Sequence, residues 1–181
     1  MISIRPASLP ADAAAIEAID TSFATSEVYE VEAAPAQITL RVRALSAPLH
    51  KRFPLDDLRS SSRPYTDSWV ALRDGSIVGF AATSFETWNA RLVLWHFYVD
   101  PSARRQGVGR RLIDVVKAHG IEFGARHIWL ETSSLNVPGA GVYRALGFSL
   151  TGVDLTLYDG TPAEGEAAMF YSVRMAAQPP Q

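Results

Sequence analysis

Phe97-Tyr98-Val99-Asp100-Pro101-Ser102-Ala103-Arg104-Arg105-Gln106-Gly107-Val108-Gly109-Arg110-Arg111-Leu112 reads as the end of a strand, a glycine turn and the start of a helix. A helix start leaves about four backbone N–H groups without intrahelical partners, and the summed peptide dipoles put roughly half a positive charge there. Cations belong at the other end. Arg104, Arg105, Arg110 and Arg111 nonetheless crowd this one, which makes sense if an anion lies among them. Gly107 and Gly109 let the backbone approach that anion without an intervening side chain. The bend from Gln106 through Val108 to Arg110 therefore reads as a cradle for a pyrophosphate; the plain alternative is a solvated basic helix start. The spacing is neither that of the P-loop nor that of the dinucleotide glycine fingerprint.

The surrounding pattern supplies a framework for this loop. Asp74-Gly75 marks a hairpin between strands at Trp69 to Arg73 and Ser76 to Glu86, and Asn89-Ala90 turns into a third strand at Leu92 to Val99. The helix that follows runs from Gly107 to about Phe123. It turns Val108, Leu112, Val115, Val116 and His119 inward and Arg110, Arg111, Asp114 and Lys117 outward. His127 to Thr132 is a strand, Pro138 to Leu146 a helix stopped by Gly147, and Phe148 to Tyr158 and Glu166 to Met175 are closing strands. Leu92 to Thr132 is thus strand, crossover helix, strand, and its two strands should be parallel neighbours.

The N-terminal third is less regular. A strand at Ile2 to Arg5 precedes a helix that Ser8 can cap, with Pro10 in its first turn and Leu9, Ile16, Ile19 and Phe23 on one face. Ile38, Leu40, Val42 and Ala44 alternate with Thr39, Arg41 and Arg43, the pattern of a half-buried strand. Ala47 to Asp67, rich in Ser, Pro and charge, reads as a mobile loop.

With 181 residues, 48% of them hydrophobic and 20% charged, the chain suits one domain with a full core, expected over 1–175, followed by a frayed tail at 176–181. The absence of cysteine excludes a thiolate nucleophile and a Cys-based zinc site, and the four histidines stand far apart, so no metal is expected. A net charge of -2 gives no reason to expect a nucleic-acid partner, and no stretch approaches the ~20 apolar residues of a bilayer span. A cytoplasmic location is the default expectation.

Arg104, Gly107 and Gly109 match the Arg/Gln-x-x-Gly-x-Gly/Ala signature, and the loop resembles the acetyl-coenzyme A pyrophosphate loop of the GNAT-type N-acetyltransferases. A second stretch, Asn136-Val137-Pro138-Gly139-Ala140-Gly141-Val142-Tyr143-Arg144-Ala145-Leu146-Gly147-Phe148, resembles the same family's Asn, helix start, Tyr and Leu-Gly-Phe. Here the alanine falls at Ala140, with Gly139 in its usual place. The motifs cover Trp69 to Phe148 and imply an α/β fold of the α+β type for the whole chain. Its expected form is the GNAT fold, a single mixed, mainly antiparallel sheet of six to seven strands with one parallel, splayed strand pair and flanking helices.

The resemblance also implies roles. The loop residues Arg104, Arg105, Gln106, Gly107, Val108, Gly109 and Arg110 hold the pyrophosphate, and the backbone of Phe97, Tyr98 and Val99 pairs with pantetheine. The Tyr98 N–H polarises the thioester carbonyl, Tyr143 protonates the departing thiolate, and Asn136 lies near the pantetheine arm. Read as residues alone, Tyr143 is a helix aromatic packed on a sheet and Asn136 a helix cap. An alkyl amine with a pKa near ~10.4 must also lose a proton before it attacks. Many relatives carry an acidic residue in the strand before the signature, where this chain has Trp95 and His96. His96, Glu86 and Glu131 are the candidate bases, and each is also readable as an ordinary packed or exposed side chain.

Leu130-Glu131-Thr132 with Asn136-Val137-Pro138, and Gly152-Val153-Asp154-Leu155-Thr156-Leu157-Tyr158, look like the streptothricin acetyltransferase branch. That branch acetylates a β-lysine amine, which implies a small cationic acceptor met by carboxylates such as Glu86, Glu131 and Asp154; Asp154 could equally cap a turn. The resemblance further suggests a homodimer. A protein, peptide or polyamine acetyltransferase, or a non-catalytic coenzyme A sensor, are the competing readings.

Overall fold

Asp74 and Gly75, at φ 51° and 85°, close a two-residue hairpin whose type needs positive φ at both positions. The computed structural model describes residues 1–175; the tail expected to fray, 176–181, lies outside the described residues. The elements are β1 (Ile2–Pro6), α1 (Ala13–Glu17), β2 (Ser22–Ala34), β3 (Gln37–Arg52), β4 (Asp67–Arg73), β5 (Ser76–Glu86) and β6 (Arg91–Val99). After a single 3-10 turn come α2 (Val108–Glu122), β7 (His127–Ser133), α3 (Val137–Ala145), β8 (Ser149–Asp154) and β9 (Ala168–Arg174). Seven strands form a mixed sheet of order β1-β4-β5-β6-β7-β9-β8, and β2 pairs with β3 alone. This is the α+β architecture of the GNAT fold, with β6 and β7 as the parallel pair.

The chain divides into two compact units. The first comprises Met1–Thr21, Arg52–Trp129 and the stretch from Val173. In it β4, β5 and β6 form the antiparallel meander that the hairpin signals predict, and β1 is added to β4. One face carries α2. Leu112 of α2 reaches so close to Gly79 of β5 that a methyl group there would stand 3.0 Å from Leu112 Cδ1, so the helix seats against bare backbone. The opposite face carries Ile16, Ile19, Leu58, Tyr65, Val70 and Phe80, all nearly sealed from solvent. Each such side chain contributes roughly 1.5–3 kcal/mol by leaving water. The expected inward face of α2 holds for Val108, Leu112 and Val116, and it also includes Ile113 and Gly120.

The N-terminal helix is shorter than expected and differently capped. Only Ala13–Glu17 is helical, because Asp12, not Ser8, sits at the cap. The Asp12 carboxylate accepts the Ser8 N–H at 2.7 Å and both terminal nitrogens of Arg5 at 2.7 and 2.9 Å, which fixes the turn before the helix. Phe23 belongs to β2 instead of the helix face.

The second unit comprises Ser22–Lys51 and Leu130–Ser172. The alternation read at Ile38 to Ala44 is a strand, but not a half-buried one: Ile38 and Val42 are 52% and 54% exposed on a two-stranded ribbon. That strand runs on to Arg52, so the connection expected from Ala47 begins only at Phe53. The strand expected to reach Tyr158 stops at Asp154, whose carboxylate caps a turn. Asn136 caps α3, and Arg144 of α3 donates to the Tyr29 hydroxyl of β2 at 2.7 Å. No helix among the described residues is long and apolar enough to cross a membrane.

Candidate functional site

In the first unit the arginine-rich bend is a helix start built on glycine. Gly107 is the N-cap of α2 at φ 80°, a left-handed conformation, and no atom lies within 4 Å of where its Cβ would be. The N-cap of α2, where the unpaired first-turn amides begin, therefore carries no side chain of its own. Gly109 has a different cause. A methyl there would lie 3.3 Å from the Phe97 ring, so this glycine lets α2 pack on β6. Buried Ala103 and Val108 anchor the two ends of the bend.

The four arginines separate into two kinds. Arg104 donates from Nε to the Val99 carbonyl at 2.9 Å, and Arg111 donates to the Ile2 carbonyl at 2.9 Å. Both hold the fold together. Arg105 and Arg110 are exposed beside the helix start, and Gln106 donates to the Ser102 carbonyl at 3.0 Å. Asp100 caps the 3-10 turn; the Ser102 hydroxyl and N–H it accepts hold its carboxyl below the ordinary range.

Strand β6 carries a bulge. Its register against β5 passes from Ala82↔His96 to Thr83↔Leu94, which leaves Trp95 as the extra residue. The parallel ladder to β7 covers Arg91 to Val93 only, ahead of the bulge. Phe97, Tyr98 and Val99 follow it, opposite Ala81, Phe80 and Gly79 of β5.

His96 and Tyr98 share a face, with ring centroids 5.8 Å apart. The His96 side chain is 11% exposed, and its Nε2 lies 2.8 Å from Asp57 Oδ2 and 3.1 Å from Oδ1. Its Nδ1 is buried with no hydrogen-bond partner among the described residues. Asp57 was missed in the sequence because the stretch around it reads as a mobile loop. The signal was there: Leu55 and Leu58, flanking the acidic pair, are buried, so this turn is packed down. Beside it Glu17, Thr21, Arg52, Phe53 and Asp56 line a cleft of about 410 Å³, and the Phe53 ring stands 6.2 Å from that of Tyr98.

Glu86 stands at the hairpin end of β5. It pairs across the hairpin with Arg91, five residues from His96 and seven from Tyr98 along β6. At ~3.3 Å per residue that is about 17 Å and 23 Å, beyond proton-transfer reach.

In the second unit Tyr143 of α3 is half-buried, with the rings of Phe148 and Tyr171 at 6.1 and 5.8 Å. Burial, helped by the charge of Glu131 and by the Tyr171 phenol, pushes its pKa well above the ordinary phenol value. Glu131 of β7 accepts the Tyr158 hydroxyl. Desolvation raises the Glu131 carboxyl, against the opposing pull of that hydrogen bond and of the Lys51 ammonium. Glu166 accepts from both Lys51 Nζ and the Ser133 hydroxyl. Tyr158 ends the Gly152 to Tyr158 stretch, whereas Glu166 and Lys51 lie in no motif, and only folding brings all three to Glu131.

Asn136 takes the cap position. Its Oδ1 accepts the Gly139 N–H at 3.0 Å, and its Nδ2 donates to the Thr132 hydroxyl at 2.9 Å. Asp154 Oδ1 accepts from the Thr156 N–H, the Thr156 hydroxyl and the Leu157 N–H, which lowers its pKa. Asp154 thus caps the turn that ends β8.

The acetyltransferase (GNAT) family profile matches residues 29–148. The streptothricin acetyltransferase of Streptomyces lavendulae is 39% identical over 171 residues, 91% of this chain and 90% of that protein. The crystal structure of a nourseothricin acetyltransferase superposes with TM-score 0.87 at 40% identity, covering 97% of this chain and 99% of the other. A Bacillus anthracis str. Ames acetyltransferase in complex with acetyl coenzyme A superposes with TM-score 0.80 at 25% identity, covering 97% and 99%. A helix start bared by Gly107, a bulged strand ahead of it and likeness along nearly the whole length agree: this chain belongs to the GNAT acetyltransferase family and is an acetyl-coenzyme-A-dependent N-acetyltransferase.

Proposed function

We propose that this protein transfers the acetyl group of acetyl-coenzyme A directly to a primary amine of a streptothricin-type acceptor, the β-lysine amine. The observation that carries this reading is the 39% identity to the Streptomyces lavendulae streptothricin acetyltransferase across 91% of the chain. The cradle fits the cosubstrate: bare first-turn amides at Gly107 and the exposed Arg105 and Arg110 suit a diphosphate.

Each chemical need has a candidate on this chain. Backbone groups of Phe97, Tyr98 and Val99 align pantetheine, and the Tyr98 N–H polarises the thioester carbonyl as negative charge develops on its oxygen. His96 takes the proton that the acceptor ammonium must lose before its nitrogen attacks. The tetrahedral adduct then collapses, the C–S bond breaks, and the thiolate takes the proton of the Tyr143 phenol. A phenol near pKa ~10 gives its proton to a thiolate of conjugate acid near ~8.5 only uphill, by about 2 kcal/mol, and burial of Tyr143 adds to this. The transfer therefore accompanies C–S cleavage, and the adduct nitrogen, which loses a proton on becoming an amide, restores the phenol.

Glu131 supplies a carboxylate for a polycationic acceptor, while Asp154 contributes charge at one remove because its Oδ1 is held in a turn. The reading also places the reaction in the cytoplasm, where acetyl-coenzyme A is held, and in a homodimer, with no nucleic acid or membrane as partner. Thiol release from acetyl-coenzyme A is the test, with streptothricin, polyamines and lysine peptides as acceptors and Tyr143→Phe as control. Turnover with streptothricin exceeding that with the others is expected. Faster turnover of a polyamine or peptide would overturn the acceptor, and tight cofactor binding without turnover of any amine would overturn the enzyme.

A further inference from the structure

We propose that Asp57 is a positioning residue for acceptor deprotonation: its carboxylate fixes the His96 ring with the proton on Nε2 and leaves Nδ1 as the nitrogen that takes the acceptor's proton. The inference rests on the acetyl-transfer reading above and adds the residue that makes His96 a directed base.

Both Asp57 oxygens lie within hydrogen-bond reach of Nε2, at 2.8 and 3.1 Å. An ionised carboxylate only accepts, so Nε2 must be the donor. In the neutral ring Nδ1 then carries the lone pair. The ring cannot turn to exchange the two nitrogens freely. The Tyr65 ring meets it edge-on at 5.3 Å and 84°, Phe80 lies at 5.7 Å, and Tyr98 lies at 5.8 Å.

A His–Asp pair that merely ties the 53–66 connection to the sheet would have both ring nitrogens satisfied, as buried polar groups usually are. Here Nδ1 is buried and meets no hydrogen-bonding group among the described residues, and the neighbouring Tyr65 hydroxyl is in the same condition. The Nδ1 lone pair is thus bound by no protein donor among the described residues, as proton uptake there requires. Placement agrees with this. His96 lies two residues before Tyr98 on the same strand face, and Tyr98 touches Phe53 at the wall of the 410 Å³ cleft.

The step balances. The acceptor's N–H⁺ bond breaks as Nδ1–H forms, the imidazolium charge is met by the Asp57 carboxylate, and the proton passes to water between turnovers.

Nitrogen-15 spectra of histidine-labelled full-length protein, recorded across pH with the His96 signals assigned by their loss in His96→Gln, should show the neutral form of the ring with its proton on Nε2. Asp57→Asn should lower kcat with streptothricin about 10²-fold while KM for acetyl-coenzyme A stays within twofold. Asp57→Glu should recover at least a tenth of the activity, and Asp57→Asn placed on His96→Gln should cost nothing further. A proton on Nδ1 in the unaltered protein overturns the proposal even if Asp57→Asn fails to fold. So does a kcat within threefold of wild type, or a full additional loss on His96→Gln. If the unaltered protein ignores streptothricin, the acceptor reading fails, and the nitrogen spectra still decide the tautomer.

Discussion

Asn136 Oδ1 accepts the Gly139 N–H at 3.0 Å, and a methyl group on Gly139 would stand 2.6 Å from Asn136 Cγ. The family's usual alanine is thus impossible at position 139 while Asn136 keeps its cap. Gly139→Ala must expel a side chain that is itself buried and bonded to Thr132. Losing the cap costs about 0.5–2 kcal/mol, and the orphaned Thr132 hydroxyl adds to it. Urea unfolding should show Gly139→Ala and Asn136→Ala destabilised by about 1–3 kcal/mol each, with the double variant no worse than Asn136→Ala alone. Full additivity would show that the two positions do not share the cap.

At the anion cradle, the two kinds of arginine predict two kinds of defect. Arg104 bonds to the Val99 carbonyl, so Arg104→Ala should lower Tm and weaken acetyl-coenzyme A together. Arg105 is exposed, and Arg105→Ala should raise the cofactor Kd several-fold and flatten its salt dependence, with Tm unchanged. Gly107→Ala meets no neighbour, so its cost is backbone strain alone, about 1–2 kcal/mol. Calorimetric titration at two salt concentrations, with melting curves, separates these. Equal loss of Tm in Arg104→Ala and Arg105→Ala would contradict the division.

What could be read from the chain and what could not follows burial. The Asp74-Gly75 hairpin and α2 were legible because turn chemistry and a buried stripe, Val108, Leu112 and Val116, write themselves into local sequence. The ribbon of β2 and β3 was half legible. Its alternation survives, but Ile38 and Val42 face solvent, so the inference from alternation to a buried face failed. Among site residues, the glycines and Tyr143 stood in motifs and Asp57 in none, and the pairings of Asp57 with His96 and of Tyr158 with Glu131 form only through packing between segments 39 and 27 residues apart.

Asp12 gives an acid-stability prediction. The Arg5 guanidinium and the Ser8 N–H hold its carboxyl at about 2, below the ordinary carboxylate value. A depressed folded-state pKa contributes stability above the unfolded value, near 4, that is lost as pH falls toward 2. Asp12→Asn should therefore be less stable than wild type between pH 5 and 7, with the gap closing between pH 4 and 2. Melting curves across that range test it, and a gap that persists at pH 2 would rule out Asp12 as the titrating group.

Tyr143 and Glu131 make the opposite prediction at the alkaline end. Burial and the charge of Glu131 disfavour the Tyr143 phenolate, so the proton stays on its oxygen above the ordinary phenol value near ~10. The kcat profile should show no fall from Tyr143 up to pH 10, and Tyr143→Phe should lower kcat about 10²-fold at every pH with little change in KM for acetyl-coenzyme A. Glu131→Gln removes one of the charges that hold the phenolate off, and should bring the phenol's titration, followed by ultraviolet difference absorbance, to lower pH. It should also stabilise the protein at neutral pH. Desolvation raises the folded-state carboxyl, so its ionised form is disfavoured there, and the advantage of Gln disappears once acid protonates Glu131. A Tyr143 titration unmoved by Glu131→Gln would show that the two groups do not interact, and that burial alone keeps the phenol protonated.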